Sequence, residues 1–77
     1  MILKIISAEK IEFEGEVEQV TLPGTMGSFQ VLNNHAALIS SLVPGTMSYV
    51  AGEVTEEREI RGGIADVKDN IVSVCLY

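Results

Sequence analysis

A chain of 77 residues, 47% hydrophobic and 21% charged, is one small globular domain, too short for a cofactor-binding domain beside a substrate domain. Its net charge of −6 comes without the Lys/Arg stripe that a phosphate backbone or an anionic lipid surface requires, so nucleic acid and lipid insertion are excluded and a basic protein surface is the natural complement. The single cysteine, Cys75, makes no internal disulfide, no apolar run approaches the ~18 residues of a membrane span, and residues 1–6 lack the basic region of a signal peptide, so the expected setting is intracellular and soluble.

Along the chain the hydrophobic period is two, not 3.6. Residues 2–6 predict a strand with Leu3 and Ile5 on one face. From Ile11 onward, Ile11, Phe13 and Val17 interleave with Glu12, Glu14, Glu16 and Glu18. A helix would scatter those glutamates, whereas a strand lines them up on one wet face. Gly15 predicts a kink or turn inside this run, and the shift of apolar phase to Val20 and Leu22 predicts a β-bulge near Gln19. Residues 23–27 form a loop by composition, and 28–32 a strand with Phe29 and Val31 on one face. Asn33-Asn34 is a turn, since Asn tolerates positive φ. Residues 37–43 predict a strand apolar on both faces apart from Ser40 and Ser41, and Pro44-Gly45 a type II turn. Residues 46–51 form a strand closed by Gly52, and 54–60 an exposed charged arm. Gly62-Gly63 permits a bulge or a close backbone approach before a short strand at 64–67. Residues 68–70 form a hairpin turn, and 71–77 a last strand with Val72, Val74 and Leu76 in phase. The sum is an all-β, two-sheet sandwich of about eight to ten short antiparallel strands, with no helix, repeat or linker.

Little in this pattern carries chemistry. His35 is the only histidine, and its neighbours are those of a loop, so it reads as a group making one structural or interface hydrogen bond rather than as a catalytic base. One His and one Cys far apart do not make a metal site. The glutamate row reads as a solvated face that keeps an edge from aggregating, not as calcium ligands or a glycosidase pair. None of the glycine pairs has the spacing of a phosphate loop. Cys75 reads as a partly buried structural thiol. The residues thus describe a non-enzymatic domain with no cofactor. Because strands 37–43 and 71–77 are apolar on both faces, one sandwich face is expected to be covered by a partner.

An ordered set of motifs goes further. Residues 15–32 run Gly-Glu-Val-Glu-Gln-Val-Thr-Leu-Pro-Gly-Thr-Met-Gly-Ser-Phe-Gln-Val-Leu, followed by His35-Ala36-Ala37-Leu38, Leu42-Val43-Pro44-Gly45, Gly62-Gly63-Ile64-Ala65-Asp66-Val67 and Asn70-Ile71-Val72-Ser73-Val74. This resembles the N-terminal β-sandwich domain of the epsilon subunit of F-type ATP synthase, called delta in mitochondria. The resemblance covers essentially all of the chain. It departs at Asn33-Asn34 where the family has Pro-Gly, at Ala37 for a proline, at Ser28 for a frequent acid and at Ile64 for an aromatic. The family appends a helical hairpin, so residues 1–77 are expected to be a single sandwich domain in a short form without a C-terminal helical domain.

The resemblance implies a non-catalytic rotor subunit of the F1 central stalk. Such a subunit binds gamma and the c-ring, works beneath the alpha/beta hexamer, couples proton translocation to ATP synthesis and hydrolysis, and lies at the cytoplasmic face of the bacterial inner membrane. By motif position it gives Thr25, Met26, Gly27 and Ser28 to a loop facing the c-ring. It gives Asn34, His35, Ala36, Ala37 and Leu38, with Ser7 on the same side, to the surface packed on gamma. The rival is an unrelated acidic protein-binding or carrier module. A biotinyl or lipoyl carrier needs a lysine at a mid-chain hairpin, and no lysine lies between Lys10 and Lys68.

Overall fold

A computed structural model describes residues 1–77. Nine strands and no helix make up the chain: β1 (Ile2–Ile6), β2 (Ile11–Glu16), β3 (Gln19–Gly24), β4 (Gly27–Leu32), β5 (Leu38–Leu42), β6 (Gly45–Ala51), β7 (Val54–Ile60), β8 (Gly63–Lys68) and β9 (Ile71–Leu76). They run as one curled sheet in the order β2-β1-β9-β8-β5-β3-β6-β7, with β4 on the free side of β3. The β5–β3 link is a single pair, Gly24 with Leu42. The sheet therefore folds there into two layers, β2-β1-β9-β8-β5 and β4-β3-β6-β7. All pairings are antiparallel except β1 with β9, which is parallel and departs from the all-antiparallel expectation.

Between the layers lies a cluster of 14 buried residues, among them Leu3, Ile5, Val20, Leu22, Val31, Met47, Val67, Val72 and Val74. The period-two alternation puts them there. Leu3 and Ile5 of β1 point inward as expected, and Val72 and Val74 do the same from β9. On the side away from the β5–β3 fold, the layers close through Phe13 on β2 and Tyr49 on β6, whose ring centroids are 4.6 Å apart. An ion pair from Arg58 on β7 to Glu12 on β2, at 3.5 Å, lies on the same side.

Several local expectations give way. Gly15 does not break β2; it stays in the ladder opposite Leu3, and a Cβ there would meet the Phe13 ring at 3.0 Å. The glycine makes room for that ring. The phase change near Gln19 is made not within a continuous strand but at the break between β2 and β3. Val17 still exchanges hydrogen bonds with Met1, while the Glu18 N–H donates to Val50 O at 2.8 Å, so the chain crosses from one layer to the other between these two residues. The register shift of the molecule lies instead in the β1–β2 pair, where Ile5 faces Phe13 and Ile6 faces Ile11. Glu12 is the surplus residue; it turns in toward Arg58 and Ile11 turns out, 60% exposed, reversing the faces expected for both.

The 23–27 loop contracts to a two-residue turn, since Gly24 pairs with Gly27 across Thr25 and Met26. Pro44-Gly45 is not a type II turn. Gly45 lacks the positive φ such a turn requires and opens β6, its Cα packed where a Cβ would meet Pro23 at 3.1 Å. Gly62-Gly63 does mark a close approach, because a Cβ on Gly63 would drive into the Cys75 carbonyl. Asn34, Asp69 and Asn70 take φ of 62°, 53° and 62°, as turn residues of their type do. Cys75 is exposed, because the alternation along β9 that buries Val72 and Val74 sends it outward.

Candidate functional site

The hairpin between β3 and β4 projects Met26, 99% exposed, at its tip. Gly27 at φ 118° lets the chain reverse in two residues. The Thr25 N–H donates to Ser41 O at 3.3 Å, and the Val43 N–H to Pro23 O at 2.9 Å, which tie the base of the hairpin to β5. Thr25, Met26, Gly27 and Ser28 thus form a blunt point on a held stem, with Met26 its one apolar side chain.

The corner between β4 and β5 holds Asn34, His35, Ala36 and Ala37, all exposed, and half-buried Leu38. It is tied at several places. The Asn34 N–H donates to Asn70 Oδ1 at 2.8 Å, the His35 N–H to Leu32 O at 3.2 Å, and the Met1 amine to Asn33 Oδ1 at 2.7 Å. His35 Nδ1 lies 2.7 Å from Ala36 O. A carbonyl only accepts, so Nδ1 carries the proton and Nε2 is left to solvent or a partner. The histidine has no acid or nucleophile arranged around it.

Ser7 is not brought to this corner. It begins the β1–β2 turn, where its N–H donates to Lys10 O at 2.9 Å. Through the ladders Ile6, Cys75, Ile64 and Ser41 lie in one row, while Leu38 lies in the row of Val67, Val72 and Leu3. Ser7 therefore stands at the end of the layer that also carries the Thr25–Met26 turn, roughly 13 Å along β1 from the Leu38 row at ~3.3 Å per residue.

The outward side of the layer β2-β1-β9-β8-β5 is the other feature. The double-sided apolar strands point to it: Ile39 is 74% exposed, Ile64 44% and Ile71 37%. Ile64, Cys75, Ile6 and Ile11 stand side by side across four strands. A polar row, Asp66, Ser73, Lys4 and Glu14, separates them from Ile71 and Ile2. Ile11 and Ile64 are the contributions the sequence pattern missed. Ile11 is turned out by the register shift, which has no signal in composition. Ile64 follows Gly62-Gly63 and could have been assigned outward from its offset to Ala65 and Val67.

No group of three or more His, Cys, Asp or Glu side chains is placed to hold a metal ion. The hollows on the surface are shallow and open, the most apolar of them between Leu38, Ile39 and Val67.

Comparison with known proteins places the chain among relatives of one kind. The sequence model of a family described as the β-sandwich domain of the ATP synthase delta/epsilon chain matches residues 1–76. The chain is 40% identical over 72 residues to the ATP synthase epsilon chain of Leptospira borgpetersenii, covering 94% of this chain and 57% of that one. It is 41% identical over 70 residues to the ATP synthase epsilon chain of Afipia carboxidovorans, covering 91% and 52%. It superposes with a TM-score of 0.92 and 25% identity on a chain in the cryo-EM structure of the Euglena gracilis mitochondrial ATP synthase, OSCP/F1/c-ring, covering 99% of this chain and 49% of that chain. It thus spans about half the length of the relatives it matches.

Proposed function

The chain belongs to the delta/epsilon chain family of ATP synthase, whose β-sandwich domain it matches over residues 1–76, and from that membership we propose that it serves as a non-catalytic rotor element of the central stalk. In this role it binds gamma and seats on the c-ring at the cytoplasmic face of a bacterial inner membrane. It carries torque between proton translocation and the alpha/beta hexamer. The observation that carries the reading is the superposition over 99% of the chain on a component of an assembly described as OSCP/F1/c-ring. The construction of the molecule supports it. A coupling element has to transmit force without yielding, and this chain has a close-packed two-layer core, turns of two residues and corner segments pinned by hydrogen bonds.

At residue level, the Thr25–Ser28 hairpin meets the polar loops of the c-ring and the Asn34–Leu38 corner packs on gamma. Ser7, at the hairpin end of β1, contributes to the gamma side only if gamma reaches along the whole layer. The test is recovery of the complex. The chain is tagged after Tyr77, expressed in its host and recovered from gently solubilised membranes. The expected result is gamma, alpha, beta and c subunits in an assembly that hydrolyses ATP. Recovery of the chain alone, or with an unrelated biosynthetic enzyme, overturns the reading. Within the complex, His35→Ala with Leu38→Asp is expected to weaken gamma binding and coupled proton pumping together; unchanged values for both remove the corner from the gamma surface.

A further inference from the structure

Three strands of the sheet have a neighbour on one side only: β2, β7 and β4. Two of these open edges are guarded by charge. β2 carries Glu12, Glu14 and Glu16, and β7 carries Glu56, Glu57, Arg58 and Glu59. Charges on an edge are the usual protection against a foreign strand. The third edge has none. β4 reads Gly-Ser-Phe-Gln-Val-Leu, with no charge, no proline and the strand-favouring Phe29 and Val31.

The backbone of this edge is oriented for pairing. The Pro23 carbonyl accepts from the Val43 N–H on the β5 side of β3, so it points away from β4. Pro23 and Ser28 are therefore a non-hydrogen-bonded pair, and by alternation so are Thr21 with Gln30 and Gln19 with Leu32. The N–H and C=O groups of Ser28 and Gln30, and the N–H of Leu32, face out of the sheet. The Leu32 carbonyl is already used by His35, and no backbone hydrogen bond outside the strand ladders involves residues 27–31. Ser28, Gln30 and Leu32 are exposed, Leu32 by 51%.

This strand also lies between the two segments for which partners are proposed above. Its first residues belong to the hairpin given to the c-ring, and its last leads directly into the corner given to gamma. We propose that gamma lays an extended segment along β4 and adds a strand to the sheet, hydrogen-bonded to the main chain of Ser28, Gln30 and Leu32. This deepens the stalk reading and rests on it. Gamma is favoured over a second copy of this chain for two reasons. Two copies would bring a net charge of −6 each to an interface with no ion pairs to offset them, whereas a partner free to be basic carries no such repulsion. The edge also continues into the gamma corner without a break. Recognition by main chain rather than side chain explains why the strand can be free of charged and large polar anchors.

The experiment separates main chain from side chain at one position. Gln30→Ala removes the side chain and keeps the outward N–H, while Gln30→Pro removes that N–H and places a ring on the edge. Neither variant breaks a β3–β4 hydrogen bond, since the Gln30 N–H faces away from β3. Binding of the full chain to purified gamma from the same host is measured for both, with thermal unfolding as the check of fold. Gln30→Ala is expected to bind within about twofold of the parent and Gln30→Pro about tenfold or more weaker. Hydrogen exchange on the unaltered chain gives a readout that no substitution can confound: the Gln30 and Leu32 amides become protected when gamma is added. If Gln30→Pro binds as the parent does, or those amides stay unprotected in the gamma complex, strand addition is overturned while the stalk reading stands. If the free chain sediments as a dimer with these amides already protected, the edge belongs to a second copy and the proposal is overturned. Failure of the parent chain to bind gamma at all removes the stalk reading with it.

Discussion

The two outward faces of the sandwich are built from the same strand geometry and opposite chemistry. On the layer β4-β3-β6-β7, one cross-strand row is Gln30, Thr21, Ser48 and Glu57, and another begins Leu32, Gln19, Val50 and Thr55. Hydroxyls, amides and a carboxylate dominate. On the layer β2-β1-β9-β8-β5, the matching row is Ile64, Cys75, Ile6 and Ile11, with Ile39 and Ile71 exposed nearby. Ile39, Ile64 and Ile71 lie outside the core, so folding alone does not demand isoleucine there. The first face is composed for water. The second has the composition of a surface that other proteins cover.

The strongest perturbation removes what both faces share. Leu22 on β3 is fully buried between the layers. Leu22→Ala is expected to cost about 2–5 kcal/mol, a large part of the ~4–12 kcal/mol a domain this size has to lose. Urea unfolding of the isolated chain measures it. A cost below about 1 kcal/mol would mean the layers are not held by a common core.

Next comes the contrast itself. Ile39→Asp, on the apolar face, is expected to leave the isolated chain within about 0.5 kcal/mol of the parent, because that side chain is 74% exposed, and Ile64→Asp, at 44% exposure, to cost about 1 kcal/mol. In the complex each is expected to weaken retention by about tenfold or more, from about 1.5–3 kcal/mol of burial lost per side chain. Gln30→Asp and Glu57→Ala, at exposed positions of the polar face, are expected to change neither. Equal losses from both faces, read by subunit recovery on washing, would erase the distinction between them.

How far this was legible in the chain can be read from particular residues. Leu3, Ile5, Val72 and Val74 declared their face by simple alternation, and Asn34, Asp69 and Asn70 declared their turns by type, because both signals are local. Gly62-Gly63 announced a close approach, and the Cys75 carbonyl is what approaches. Gly15 and Gly45 were read as turns and are not. In each the missing Cβ admits a neighbouring ring, Phe13 or Pro23, and that need depends on packing rather than on the residue's own backbone. Ile11 and Glu12 exchanged faces because a register shift in the β1–β2 pair decides their orientation, and a register is a property of two strands. The site followed the same division. The motifs marked residues 25–28 and 34–38 as a hairpin tip and a corner, and both are turns in the fold, whereas the separation of Ser7 from the corner and the open edge of β4 exist only once the strands are ordered.

The smallest expected effect concerns the side where the layers close. There the Arg58–Glu12 pair, at 3.5 Å with side chains 36% and 24% exposed, sits near the Phe13–Tyr49 contact. The two strands joined by the ion pair, β2 and β7, are charged edges, so closure could rest on electrostatics or on the rings. Half-exposed pairs in water gain little, and a double-mutant cycle with Arg58→Met and Glu12→Gln is expected to give about 0.2–1 kcal/mol, falling as salt is raised. The tilted ring pair is expected to contribute about 0.5–1.5 kcal/mol beyond its buried area and to be indifferent to salt. A cycle with Phe13→Leu and Tyr49→Leu under the same conditions ranks the two. If the ion pair proves the larger and the sandwich loosens in high salt, the closure is electrostatic and the polar layer is held on by charge. If the rings dominate, the layers are clamped by apolar contact on both sides, and the glutamates of β2 and β7 are left with the one task of keeping those edges free of other strands.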